Sequence, residues 1–569
     1  MNYDDLLAVL EDYLRHHAQQ IMEERQRTSE ELAAAIRAEL PKTRGRSAQF
    51  GLITAALERA ECRFASTCRG RPKELLMALA RRAPIAFTEG GDRLLAALIV
   101  KHSAPDPGAS FTERRGEQFL TGLIITHDDV ACVFTLLAIT RAMHNLQGLR
   151  RWLGKGGTLR RDAHLGVWVD LSDTVYSAVQ AYERRRPAAR LFHSGGFFEE
   201  ARALRPSGYL IPMIATLPPA YFEAPAGSRR FLFFDRIPAV IDGRGYAQLL
   251  RAYDEPIQHD WNTTPDALLK FLTALASLLA RSVPRVDLNA STISGVAGHQ
   301  AFEHELRFLY SISRTGFLRM PKTYLVEQIS ECIPDNFPAG DLPAQVQNII
   351  DTFLMTSETA RSLDVTDPAR VPFIHQSTEE NIYVDILLLP DFLHGLLESG
   401  KRWYSSQHGD RYTLALMRWI ELAATGAAVR AKRPVRLDDG SMGDVDLLIH
   451  SQNVLWAVEC KALGKSPAFM RGEPEAIQRR RSKVREAVRQ AKRAASALQE
   501  EISEGRTEFP GDTHVRWLVC TPTVEFLVPL DEYGFAMEGI PNVLTPEELL
   551  EVATCGSSGL RVRTRDSTQ

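Results

Sequence analysis

The chain has no apolar run long enough to cross a bilayer. Its longest, Val130 to Thr140, is about half of the roughly 20 residues a membrane helix needs. The opening residues, Met1-Asn2-Tyr3-Asp4-Asp5, hold no basic segment followed by an apolar one, so no signal peptide is readable. Cysteine is sparse: seven residues, widely scattered, with no Cys-x-x-Cys pair. An odd, dispersed set argues against a disulfide framework and for a reducing compartment. Net charge is −3, so no global basic field advertises a nucleic-acid partner, and any such surface has to be local. The fifteen histidines are dispersed; His16 with His17 and His299 with His304 lack the spacing of a zinc site. No Gly-x-Ser-x-Gly elbow, internal repeat or low-complexity tract occurs. Gly464-Lys465-Ser466 is like the end of a phosphate-binding loop. The full pattern needs a glycine at 459, where Glu459 stands. ATP-driven movement would therefore have to come from another subunit. These absences lead us to expect a soluble, cytoplasmic protein with no membrane contact.

At 569 residues the chain exceeds a single core, and roughly two to four domains are expected. Residues 1–85 read as helical: Leu6, Leu7, Val9, Leu10, Tyr13 and Leu14 form a helical stripe, and Pro41 with Gly45 ends the second helix. Arg44, Arg46, Arg69, Arg71, Lys73, Arg81 and Arg82 make this region locally basic, and a solvated helix face accounts for them. Residues 86–285 are mixed α/β with no assigned role. There Leu94–Val100 and Phe119–Ile125 fit buried strands or helix segments equally, and Arg229–Phe234 reads as a strand. Arg150-Arg151-Trp152-Leu153-Gly154-Lys155-Gly156-Gly157, with Arg160 and Arg161, fits either a nucleic-acid-binding hairpin or an exposed loop. Residues 286–400 read as mainly helical, with a strand over Ile382–Pro390. The stretch 401–569 follows in α-β-β-β-α-β order. The fold class expected is mixed α/β, α+β overall.

The chemistry concentrates in this last module. Tyr412–Ala424 is an amphipathic helix with Gly426 as its C-cap, and Glu421 lies one turn from that end, where the helix dipole disfavours a carboxylate. Ala427–Leu437 reads as a strand with a turn at Leu437-Asp438-Asp439-Gly440. Next come two strand-like runs, Gly443–Ile449 and Val454–Lys461, flanking Ser451-Gln452-Asn453. They carry charges inside apolar sequence, where an uncompensated buried charge is costly. With the reversal at Gln452-Asn453, Ser451 faces Val454, Asp446 faces Glu459 and Asp444 faces Lys461. Opposed residues have Cβ atoms about 5 Å apart. Asp446, Glu459 and Lys461 then share one face, and Val445, Leu447, Ile449, Val454, Trp456, Val458 and Cys460 supply core on the other. Two adjacent carboxylates repel unless protonated or bridged by a cation. Oxygen donors suit Mg²⁺ or Mn²⁺, and an ammonium beside the bound water fits phosphodiester hydrolysis.

Gly443-Asp444-Val445-Asp446, a strand, a turn and Ala457-Val458-Glu459-Cys460-Lys461 resemble the PD-(D/E)xK nuclease superfamily, the restriction-endonuclease-like fold. The resemblance covers residues 405 to 550. It implies an αβββαβ core, with Asp446 and Glu459 as metal ligands for Mg²⁺ or Mn²⁺ and Lys461 acting on the attacking water. It also implies a helix glutamate, matched by Glu421, and a glutamine on the next helix, matched by Gln490 or, second, Gln478. Asp444 stays open as the leading aspartate. Cys460 and the lack of a proline before the aspartate depart from the pattern. A nuclease of this class with a large extra region suits bacterial restriction or defence against phage.

The helix expected over Glu475–Glu504 carries Arg479, Arg480, Arg481, Lys483, Arg485, Arg489, Lys492 and Arg493 against Glu486 alone within that run. A solvated helix usually mixes signs, and one-signed density suits a phosphate backbone. Arg479, Arg480, Lys483, Arg489 and Arg493 are the expected nucleic-acid contacts, with DNA favoured over RNA. Trp517–Thr521 reads as a strand. Thr545, Pro546 and Glu548 form the N-cap, first residue and capping box of a last helix. The expected function is a metal-dependent endonuclease, the N-terminal 400 residues binding substrate, sensing a trigger, or assembling a homo-oligomer or partner subunit. The alternative is a non-cleaving nucleic-acid-binding or scaffolding protein.

Overall fold

The computed structural model describes residues 18–71, 92–103, 127–162, 166–188, 209–216, 236–251, 262–282, 316–332, 342–361, 373–376, 381–389, 406–424, 427–451 and 453–555, with short pieces between them. The stripe at Leu6–Leu14, the run at Arg229–Phe234, most of Phe119–Ile125 and the C-cap Gly426 lie outside these residues. The fold is mixed α/β. Among the described residues no helix is long and apolar enough to cross a membrane.

The N-terminal part is helical, as expected. Helix α1 (Ala18–Glu39) stops at a single 3₁₀ turn that contains Pro41, and α2 (Arg46–Cys68) starts after Gly45. Leu94–Val100 lie in a helix, α3 (Asp92–His102). All seven are buried, which is why periodicity could not assign them: a helix covered on every side shows no stripe. Helix α4 (His127–Gly154) packs its Leu136 and Ile139 into the same core as Ile53, Leu57 and Phe64 of α2. A hairpin follows, β1 (Thr158–Asp162) and β2 (Gly166–Asp170), then α5 (Asp173–Ala188).

The middle of the chain contains a hairpin, β3 (Leu210–Thr216) and β4 (Arg236–Asp242), against α6 (Pro265–Ser282). Strands β5 (Phe317–Pro321), β6 (Leu354–Met355), β7 (Ile374–Gln376) and β8 (Asn381–Asp385) form a four-stranded sheet in the order β5-β8-β7-β6. Helices α7 (Lys322–Cys332) and α8 (Leu342–Phe353) belong to this stretch. The strand expected to run to Pro390 ends at Asp385, whose carboxylate accepts the Leu388 N–H and turns the chain.

The C-terminal module runs α9 (Ser406–Ala423), β9 (Ala428–Arg436), β10 (Met442–Ser451), β11 (Val454–Cys460), a one-turn α10 (Pro467–Met470), α11 (Pro474–Ser503), β12 (His514–Cys520), β13 (Val543–Leu544) and α12 (Pro546–Cys555). Its five-stranded sheet has the order β9-β10-β11-β12-β13. The first three strands are antiparallel and the last two join in parallel. A parallel neighbour requires a crossover, and the 30-residue α11 supplies it. One face of the sheet, with Leu447, Ile449, Trp456, Val458 and Leu518, packs on Tyr412, Leu416 and Trp419 of α9 and Leu549 of α12. The other face, with Leu448, Leu455 and Ala457, meets Ala494, Ala495, Ala497 and Leu498 of α11. Alanines along α11 let a long helix lie close to the sheet. The core on the α9 side is continuous from Leu210 to Ala553, and so takes in residues on both sides of position 400.

The N-terminal elements are joined to this module by specific contacts. Tyr182 of α5 shares a core with Phe469, Ile477 and Phe526. Arg185 of α5 donates from Nε and Nη2 to the Glu548 carboxylate at 2.7 and 2.6 Å, both side chains being 8% exposed. Glu548 also accepts from the Thr545 N–H at 2.8 Å, its half of the capping box that starts α12.

Candidate active site

The β10–β11 ladder has the register drawn from the sequence: Ser451 opposite Val454, and Leu447 opposite Val458. Past Leu447 and Val458 the strands part. Glu459 and Cys460 stay paired to β12 through Val519 and Cys520. Asp446 fills the gap with its side chain, Oδ2 accepting the Cys460 N–H at 2.8 Å. Asp446 and Glu459 therefore stand opposite each other where the sheet opens. Lys461 follows at the end of β11 and ion-pairs through Nζ with Glu459 Oε1.

The electrostatics follow from burial. The Glu459 side chain is 9% exposed. Burial, and then the charge of Asp446, push its carboxyl up from 4.5 to about 7 against the pull of Lys461. Burial also raises Asp446, opposed by the Cys460 N–H and Lys461 and reinforced by Asp444. The Lys461 ammonium loses solvation, but Glu459 and Asp446 outweigh that and raise its pKa. Lys461 is thus held as a cation and is unsuited to accept a proton near neutrality. Two carboxylates that resist joint ionisation, with one oxygen of Asp446 held by a backbone N–H, fit a hard divalent ion. Mg²⁺ binds through one or two carboxylates and keeps several waters. Among the described residues no group of three or more His, Cys, Asp or Glu side chains is placed to hold a metal; Asp446 and Glu459 are the two carboxylates that could hold one. The Cys460 thiol is buried and raised well above its usual range; it serves the core rather than the site.

Other placements differ from expectation. Asp444 is exposed and lies opposite Pro434 of β9. Among the described residues it makes no ion pair with Lys461, whose partner is Glu459. The ladder that would bring Asp444 and Lys461 together has already opened. Val445 packs with Val435, Leu448 and Leu455 on the α11 side instead of sharing the face of Leu447 and Ile449. The β9–β10 ribbon extends past β11 and turns over at Lys432, a non-glycine at φ +44°. Two-stranded ribbons twist more than full sheets. Glu421 on α9 and Gln490 on α11 are both exposed, and among the described residues no hydrogen bond or ion pair joins either to the three site residues. Gln478 is exposed near the start of α11.

Lys432 was missed. The β9–β10 pairs on either side of it, Ala431–Leu447 and Arg433–Val445, put it opposite Asp446. Its Nζ lies 2.7 Å from Asp410 Oδ1 of α9. The Asp410 hydrogen bond raises its pKa, with smaller contributions from Asp444 and Asp446. Carrying the register count across the Leu437–Gly440 turn would have found it.

The basic face of α11 is partly committed inside the protein. Arg480, expected to meet phosphate, is 7% exposed and ion-paired with Glu525, and it donates to the Leu463 and Gly464 carbonyls. Burial against Glu525 and the Leu463–Gly464 loop removes it from any ligand surface. Arg489 pairs with Glu486 and Arg493 with Asp439 at the β9–β10 turn. Arg479 and Lys483 are exposed.

No family model, no curated protein and no solved structure matches the chain.

Proposed function

We propose that the protein is a metal-dependent nuclease that hydrolyses phosphodiester bonds in nucleic acid, DNA favoured, and that its C-terminal module is of the PD-(D/E)xK, restriction-endonuclease-like kind. The observation that carries this reading is the convergence of Asp446, Glu459 and Lys461 where β10 and β11 part. The α-β-β-β-α-β order of the module supports it.

In this reading Asp446 and Glu459 would hold Mg²⁺ or Mn²⁺, which would supply charge for the scissile phosphate and acidify a water. Glu459, raised to about 7 without the ion, would give up its proton on binding it, so affinity is expected to fall as pH drops. Lys461, kept cationic, orients the attacking water and stabilises the charge that builds on the phosphate. Exposed Arg479 and Lys483, with Arg489 and Arg493, offer cations to the backbone of the substrate. Restriction or defence against phage is the setting this chemistry suits, with the N-terminal region as sensor, substrate clamp or assembly surface.

The test is incubation of the full chain with plasmid, single-stranded DNA and RNA in Mg²⁺, Mn²⁺ and EDTA. Cleavage that needs the divalent ion is expected. Binding of nucleic acid with no cleavage in any divalent metal would replace this reading with that of a non-cleaving scaffold.

A further inference from the structure

We propose that the cleft between the α4–β1 turn and the first turns of α11 binds a phosphate-bearing ligand of nucleotide size. Asp446, Glu459 and Lys461 are not among the residues that line it.

The cleft holds about 560 Å³, within the range of small-molecule sites. Arg46, Lys155, Arg479 and Arg481 line it, together with Gln478 and a single acid among the lining residues, Glu475. Four cations face one lining carboxylate, and Glu183, paired with Lys155, offsets one of them, which leaves a surplus of two positive charges. Lys155 is a built-in feature, not a surface lysine. Its side chain is 5% exposed, 3.2 Å from Glu183 and with Nζ 3.9 Å from the centre of the Tyr182 ring. Arg481 donates from Nη2 to the Val528 carbonyl at 2.9 Å, which holds its guanidinium in place beside the cleft. The first turn of α11 adds to this. Its N-cap, Glu473, gives no side-chain cap, because that carboxylate is turned to Arg471. Uncapped N–H groups at a helix start favour anions.

The walls are fixed. Gly154 and Gly472 bring the end of α4 against the turn before α11, and a Cβ on Gly154 would stand 1.8 Å from the Gly472 carbonyl oxygen. Of the basic, glycine-rich stretch at Arg150–Gly157, the residues up to Gly154 end α4, and Gly154, Lys155 and Gly156 form one side of the cleft.

Titration calorimetry of the full chain in EDTA tests this without reference to cleavage. The probes are adenosine 5′-monophosphate, inorganic phosphate, adenosine, and a single-stranded oligonucleotide with and without a 5′-phosphate. The phosphate-bearing probes are expected to bind with a dissociation constant of about 1 mM or tighter, and adenosine at least tenfold more weakly. Arg46→Ala and Arg479→Ala, both at exposed positions, should each weaken binding about tenfold. Arg506→Ala, exposed and outside the cleft, should not. Monophosphate binding identifies a free nucleotide as the source. Binding of the phosphorylated strand alone, with the same sensitivity to the variants, identifies a strand end. Failure of every phosphate probe at about 5 mM, binding of adenosine as tight as the monophosphate, or indifference to both cleft substitutions overturns the proposal.

Discussion

Replacing Glu459 with Gln should stabilise the metal-free protein at alkaline pH. In the folded chain this carboxyl titrates at about 7 instead of 4.5, because it is buried and faces Asp446. Between those two values the unfolded chain has released the proton and the folded chain retains it. The unfolded state therefore binds fewer protons, and stability falls as pH rises through that window. A tenfold difference in proton affinity between the two states is worth about 1.4 kcal/mol, so the full loss is on the order of 3 kcal/mol above pH 7. Glutamine keeps the shape and has no proton to lose. Lys461 is left without its partner, but its side chain is 34% exposed and solvent takes over that role. The assay is thermal unfolding of the wild type and Glu459→Gln in EDTA at about pH 5 and pH 8. The expected result is near-equality at the lower pH and a higher midpoint for the variant at the upper one. Added Mg²⁺ should then raise the wild-type midpoint at pH 8 and leave the variant's unchanged, since a ligand that binds only the folded state stabilises it. A variant less stable than wild type at pH 8, or a difference independent of pH, would refute the idea that these carboxylates are held close and dry.

Two further substitutions test how the N-terminal elements are fastened to the module. Arg185→Ala leaves Glu548 buried and without its bidentate partner. It should cost about 3–5 kcal/mol, read as a drop in unfolding midpoint; a loss under about 1 kcal/mol would mean that α5 does not dock on α12. Gly154→Ala drives a methyl into the Gly472 carbonyl. It should cost about 2 kcal/mol or more and expose the α4–α11 junction to proteolysis, and a variant as stable as wild type would contradict that close approach.

The site was legible because a hairpin register is local arithmetic. Once the turn was put at Gln452-Asn453, Asp446 had to meet Glu459, and the ladder agrees through Leu447–Val458. The opening of the ladder was not legible. It depends on β12 taking Glu459 and Cys460 as partners, a contact between strands more than 50 residues apart. That opening separates Asp444 from Lys461 and lets Val445 cross to the other face. The basic run of α11 was visible as charge, but which arginine turns inward was not. Arg480 is buried by Glu525, an acid 45 residues away with nothing in its local sequence to mark it as a partner. Leu94–Val100 failed to declare themselves for the opposite reason: complete burial erases the periodicity that separates helix from strand. The α12 capping box was readable because all its residues fall within one turn.

The central claim is that Asp446, Glu459 and Lys461 act as one hydrolytic site, and Lys461→Ala tests it most directly. Plasmid cleavage in Mg²⁺ should fall about a hundredfold or more, while the folded protein and its affinity for nucleic acid in EDTA remain close to wild type. Cleavage by the alanine variant at the wild-type rate would contradict the account.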